Sequence, residues 1–219
     1  MRDKIIVFGL VLVFLLSATV CTASALSNSG GGEWSSYDEI TIRENSGETL
    51  TDYQVLVELS GGDFSTEAQS DGDDIRFTDS SGTELNYWIE EWNVGSKEAK
   101  IWVKVPSIPA NGETKITMDY GNPSAGAVSK GDATYKFFDD FLGTSLNTNK
   151  WDSETTDGSI SISDSKVRVH ADSGARQGAE IFTKDTFSPP LILEVRKASK
   201  STDSNGCLLY TSPSPRDRS

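Results

Sequence analysis

Cysteine is nearly absent from this sequence. There are two, Cys21 in an N-terminal apolar run and Cys207 in a C-terminal stretch unlike the rest. The body between them has none, so no disulfide braces it and no thiolate is on hand as nucleophile or metal ligand. Histidine is rarer still. His170 stands alone between Val169 and Ala171, and one imidazole builds neither a zinc site of the usual kind nor a Cys/His pair. Positive charge is also short: 20 Lys and Arg stand against 33 Asp and Glu, a net of −13. Arg2, Lys4, Arg216 and Arg218 lie at the two ends, so the body is more acidic than the whole. Such a surface repels phosphate backbones, which argues against a nucleic-acid partner. It suits either a solvated extracellular exterior or the attraction of divalent cations. No Gly-rich phosphate loop stands between a strand and a helix, and no solenoid repeat recurs.

The longest apolar run is at the start. Arg2 and Lys4 precede "IIVFGLVLVFLLSATV", and Ala23-Ser24-Ala25 follows in the A-x-A pattern that signal peptidases cut. A membrane span needs about 20 apolar residues. The run falls short, which predicts a cleaved secretory signal over residues 1–25. An uncleaved N-terminal anchor is the rival, and would be the chain's one route to membrane contact. Either way the body is expected to be secreted or at the cell surface. Residues 26–33 read as a flexible Gly/Ser linker.

From Trp34 onward, apolar and polar residues alternate with period two. "DEITIRE" sets Ile40 and Ile42 on one face, and "YQVLVEL" aligns Val55, Val57 and Leu59; "DIRFTD", "LNYWIEEW", "AKIWVKV" and "TKITMDY" follow. Turn-rich pieces separate them. Short strands at this spacing predict an all-β fold, an antiparallel and jelly-roll-like β-sandwich over residues 34–124. "PSAGAVSKGDA" reads as a linker, residues 125–134. A second unit, 135–206, opens at "YKFFDDFLGTSLNTNKW" and continues through "GSISIS", "KVRVHA", "AEIFTK" and "PLILEVRK". Four or so strands are too few for a sandwich, so this second one is expected to be partial, with unpaired edges and poor order. Residues 207–219 differ in kind. Back-translated with permitted codons, "CLLYTSPSPRD" fits one frame of the transposase adapter used in short-read sequencing. On that reading the genuine message breaks off near Gly206.

Two constellations stand out. Taken as a hairpin closed by "NVGSK", "NYWIEEW" and "AKIWVKV" pair Trp88 with Trp102, Tyr87 with Val103 and Ile89 with Ile101. The Tyr87 side is core. The other side carries the two tryptophans, Glu90 opposite Lys100, and Trp92 nearby. Indole rings stack on the C–H faces of sugars while charged groups bind the hydroxyls. Trp88, Glu90, Trp92, Lys100 and Trp102 therefore form a candidate glycan-binding face. The competing expectation is a second aromatic core layer, covered by Trp34 or by another sheet. The acidic loop "SDGDDIRF" gathers Asp71, Asp73 and Asp74 about Gly72, a candidate site for a hard cation such as Ca²⁺. The same residues equally make an ordinary turn. Glu90 and Glu91, adjacent in a strand, are expected on opposite faces, where they make no catalytic pair.

"TLTDYQVLVEL", "DGDDIRFTDSSGTELNYWIEEW" and "IWVKVPSIPANGETKITMDYGNP" resemble domain-of-unknown-function family 2341, which occurs in archaeal and bacterial cell-surface proteins. The likeness covers residues 34–124, with "MDYGN" where an aromatic-richer "YYGN" is expected. "FFDDFLGTSLNTNKW" is similar to the opening of concanavalin A-like lectin/glucanase sandwiches. The resemblance implies two β-sandwiches on a secreted surface protein and brings no catalytic residue with it. Sandwich glucanases of that kind carry an E-x-D-x-x-E strand, and the body has no such string. The expectation is a non-enzymatic module that binds glycans or other cell-envelope components, or mediates adhesion. A fragment of an extracellular glycan-degrading enzyme and a structural spacer of the envelope are the alternatives.

Overall fold

Alternation becomes strand wherever Ile, Val and aromatic residues recur at every second position. The computed structural model describes residues 5–8, 11–16, 26, 33–64, 66–171, 178–188 and 192–195. Its strands are β1 (Ile5–Phe8), β2 (Val11–Leu16), β3 (Ser36–Glu44), β4 (Leu50–Ser60), β5 (Arg76–Asp79), β6 (Tyr87–Asn93), β7 (Glu98–Ile108) and β8 (Glu113–Tyr120). A single-turn helix, α1 (Gly131–Thr134), precedes β9 (Trp151–Thr155), β10 (Gly158–Ser163), β11 (Lys166–Ala171) and β12 (Ala179–Thr183). All sheets are antiparallel, and the protein is all-β, as the alternation predicts. The chain divides into two units, Met1–Asp139 and Asp140–Ser219.

The first unit is a sandwich. One sheet has the order β1-β2-β3-β8-β5 and the other β4-β7-β6. The inward residues are those that the alternation places on one face. Ile40, Ile42, Phe77, Ile116 and Met118 from the first sheet meet Val55, Val57, Ile101 and Val103 from the second, all within 2 % exposure. Burying each such side chain is worth about 1.5–3 kcal/mol, so this layer supplies the main drive to fold. The chain changes sheets after β3, β4, β5 and β7, and one carboxylate ties the first of these crossings to the last. Glu44, 1 % exposed, accepts the backbone N–H groups of Ser46, Gly47 and Asn111 and the Ser46 hydroxyl. These hydrogen bonds, the Ser46 hydroxyl foremost, hold its carboxyl at about 2 instead of the ordinary 4.5.

The residues expected as a linker, 125–134, make contacts of their own. Ala125 is buried in a small cluster with Leu26 and Trp34, and the first unit runs on to Asp139. Along the N-terminal apolar run β1 pairs with β2, and β2 lies along β3 from Val11 opposite Glu44 to Leu16 opposite Glu39. No helix among the described residues is long and apolar enough to cross a membrane. In the second unit, "PLILEVRK" yields no strand over its described residues 192–195, while β9 arises where no alternation announced it. This unit holds two two-stranded ribbons, β9 with β12 and β10 with β11. Among its described residues only Ile162 is buried. Residues 207–219, read as adapter-derived, lie outside the described residues.

Candidate functional site

β6 and β7 pair with Tyr87 opposite Val103, Trp88 opposite Trp102 and Ile89 opposite Ile101, the register predicted from alternation. The register then shifts. A bulge falls at Glu90, and it is Glu91 that stands opposite Lys100. The expected Glu90–Lys100 pair is replaced by a Glu91–Lys100 ion pair at 3.5 Å, and Glu90 accepts the indole N–H of Trp102 at 2.8 Å. The extra residue also reverses the parity of the rest of β6. Trp92 pairs with the buried Ala99 and packs against the core, its ring centroid 4.7 Å from that of Phe64. A Cβ on Gly72 would stand 2.9 Å from the same indole. Trp92 therefore leaves the predicted glycan face, because a shift of one residue carries each later side chain to the other side of the sheet.

Trp88, Trp102 and Lys100 stay on the outer face of the β4-β7-β6 sheet, with Glu90 beside Trp102. That face is covered in part, and by neither Trp34 nor another sheet. After β8 the chain returns across it. The Lys130 N–H donates to the Tyr87 carbonyl, the Ile89 N–H to the Ser129 hydroxyl, and the Gln54 side-chain amide to the Thr134 carbonyl, each at 2.9 Å. α1 then delivers Tyr135 and Phe138. Phe138 meets Trp88 edge-on at 4.6 Å between centroids. Tyr135 lies 6.1 Å from both tryptophans and stacks on Phe138 at 5.7 Å. A Cβ on Gly131 would fall 2.2 Å from the Phe138 ring, so the residue there must lack one. All four rings are half-buried. They make one aromatic band, with the Glu91–Lys100 pair and the Lys104–Asp52 pair (3.9 Å) on the same sheet. The geometry of edge-on and offset rings is the favourable one for aromatic clusters.

Asp71, Asp73 and Asp74 are not gathered as a metal site. Asp74 is fully buried. Its Oδ1 accepts the Gln69 N–H at 2.8 Å, and its Oδ2 accepts those of Gly121 at 2.7 Å and Asn122 at 3.0 Å. Asp71 is exposed and accepts the Asp73 N–H at 3.2 Å, the ordinary turn pattern. Among the described residues no three carboxylate, imidazole or thiolate side chains converge to hold a metal ion. The loop's work is structural, and a cation that the sequence pattern did not single out takes part. Arg76, 1 % exposed, donates to the carbonyls of Asp73, Ile75 and Gly126 at 2.7–2.9 Å. Trp34 lies over its guanidinium at 5.6 Å and donates to the Asp74 carbonyl at 2.8 Å. Beside them the Tyr87 hydroxyl donates to the Ile75 carbonyl. Burial pushes that phenol up to about 12, against the opposing pull of Arg76. The available signal was "DDIRF", an arginine between two core residues directly after two carboxylates.

In the second unit Glu154 and Glu180 are cross-strand partners beside an open cleft that Thr156, Gly178 and Ala179 also line. Both glutamates are exposed. His170 is exposed on β11.

Residues 71–154 match the model of a domain of unknown function, DUF2341. The DUF2341 match begins at the Asp71 loop, spans the aromatic hairpin and includes the returning segment with Tyr135 and Phe138, so it leaves out residues 34–70 of the 34–124 span expected from the likeness and runs past that span at its C-terminal end. No curated protein and no solved structure matches the chain.

Proposed function

We propose that this chain is an extracellular, non-enzymatic binding module that contacts glycans of a cell surface or envelope. Its contact surface is the aromatic band on the outer β4-β7-β6 face. One observation supports the reading above the rest: Trp88, Trp102, Tyr135 and Phe138 form a half-buried cluster on a sheet face that also bears Lys100, Glu91 and Lys104. The four rings keep part of their surface open to solvent, and a sugar needs a flat apolar patch with hydrogen-bonding groups at its margin. The Glu90–Trp102 hydrogen bond holds one indole in place before any ligand arrives, which lowers the entropy lost on binding. The N-terminal run and A-x-A sequence support export, and "FFDDFLGTSLNTNKW" supports a second unit of lectin-like kind. A structural spacer is the second reading, favoured by the 4.6 Å contact of Phe138 with Trp88.

Native electrophoresis through gels cast with soluble β-glucan, xylan or mannan separates the two. The chain should be retarded in at least one gel, and Trp102→Ala should lose roughly tenfold in affinity, equivalent to about 1.4 kcal/mol, near the top of the range for one aromatic contact. Its melting temperature should fall by only a few degrees. Unretarded migration in every gel, for a folded protein, leaves the spacer.

A further inference from the structure

The second unit carries a charged face that the aromatic band does not use. We propose that the serine and cation face of the β10–β11 ribbon is a second ligand site, which takes a linear acidic polysaccharide through its carboxylates. The site lies on a different unit from the Trp88–Trp102 face and does not depend on how that face is read.

Three observations carry it. First, the register puts the ribbon's cations on one side. Ser163 stands opposite Lys166, Ser161 opposite Arg168 and Ser159 opposite His170, and cross-strand partners share a face. All six are exposed, whereas Ile160, Ile162 and Val167 on the other face are half-buried or buried. No carboxylate and no apolar side chain of the two strands stands among the six. Asp157 and Asp164 lie in the connections just before and just after β10. Second, two of these cations are not neutralised by the protein itself. Arg43, Lys100, Lys104 and Lys115, on strands of the first unit, each meet a carboxylate. Lys166 and Arg168 have no such partner among the described residues, in a chain with 33 acidic residues. Neighbouring strand cations kept clear of so many carboxylates present a local positive field to an anion from outside. Third, the donors suit a carboxylated sugar chain. Alternate residues on one side of a strand stand about 7 Å apart. The Arg168 guanidinium can take a carboxylate with two N–H donors, and the serine hydroxyls beside the cations both donate to and accept from sugar hydroxyls. No aromatic ring of the two strands shares this face, so the bases of a single-stranded nucleic acid would find nothing there to stack on.

The test uses the full chain and fluorescein-labelled oligogalacturonate, followed by anisotropy at low salt, where exposed charges are least screened. The parent should bind. Lys166→Gln/Arg168→Gln should bind about fivefold more weakly, the scale of two exposed ion pairs, with unchanged far-UV dichroism because both side chains are exposed. Trp102→Ala should bind as the parent does, which keeps this site distinguishable from the aromatic band. No binding by the parent, or equal binding by the double variant, overturns the proposal. A loss with Trp102→Ala as large as that of the double variant overturns the separate site and puts the ligand on the aromatic band. Tighter binding of a labelled oligothymidylate of equal charge overturns the polysaccharide in favour of a nucleic acid. Should the double variant fail to fold, Lys166→Gln and Arg168→Gln decide singly: each should lose about twofold, and no loss in either contradicts the proposal.

Discussion

Single residues in this molecule do their work by choosing hydrogen-bond partners far away in sequence. Asp71, Asp73 and Asp74 look alike in the string "SDGDDIRF", and the sequence shows only that three carboxylates share a loop. Which of them turns inward is decided by the N–H groups of Gly121 and Asn122. Gly121 takes φ +84, and a Cβ there would also meet the Ser35 hydroxyl at 2.2 Å, so a glycine is needed to aim both donors at one oxygen. Asp74→Asn places an amide NH₂ where a carboxylate oxygen accepted, and leaves at least one buried N–H without an acceptor. The expected loss is about 3 kcal/mol by urea denaturation. Asp71→Asn keeps an acceptor for Asp73 and should stay within about 0.5 kcal/mol of the parent. Equal losses at the two positions would refute this division of labour. Glu44 supports a prediction in pH. Its folded pKa of about 2 lies below the ordinary 4.5, so its contribution is complete above 4.5 and fades as pH falls toward 2. The stability gap between the parent and Glu44→Gln should hold steady from pH 7 to 5, shrink below 4.5 and close near 2. A gap independent of pH would show that the carboxylate's charge is not what matters.

Elements were legible where apolar residues alternate without interruption. β3, β4, β7 and β8 have core faces that the sequence displays, and the Trp88–Trp102 register follows from pairing two such faces. The bulge was not legible, because Glu90 and Glu91 are both polar and either suits an outer position. The same ambiguity placed Trp92 beside Trp88, although it packs on Phe64 in the core. β9, "WDSET", has no alternation to read; it pairs with β12 from Trp151 opposite Thr183 to Thr155 opposite Ala179. The bulge makes an unusual prediction. Deleting Glu90 leaves Ile89 opposite Ile101, Glu91 opposite Lys100 and Trp92 opposite Ala99, so every remaining side chain keeps its face. The deletion should fold and cost about 1–2 kcal/mol, the loss of one hydrogen bond to Trp102 plus altered local twist. Deleting Trp92 removes a core ring and should cost about 3–5 kcal/mol. Urea melts that rank the two deletions the other way would show the bulge to be indispensable.

At the scale of the whole molecule, composition and pattern indicated an all-β chain in two units, and the boundary between them lay where pattern is silent. "PSAGAVSKGDATYKFF" has no period, so it reads as a connection and then a new beginning. Its role emerges only when Tyr135 and Phe138 are placed against Trp88 and Trp102, which lie more than thirty residues earlier in the chain. The central claim is that the first unit closes at Asp139 with its own rings on its outer sheet face. The most direct measurement compares the thermal unfolding of chains spanning residues 1–139 and 1–128. The longer chain should melt in one transition about 10 °C above the shorter, since half-burying two aromatic side chains is worth roughly 2 kcal/mol and each kcal/mol shifts a domain of this size by about 4–8 °C. Coincident melting curves would contradict the claim, because residues 129–139 would then contribute nothing to the unit they cover.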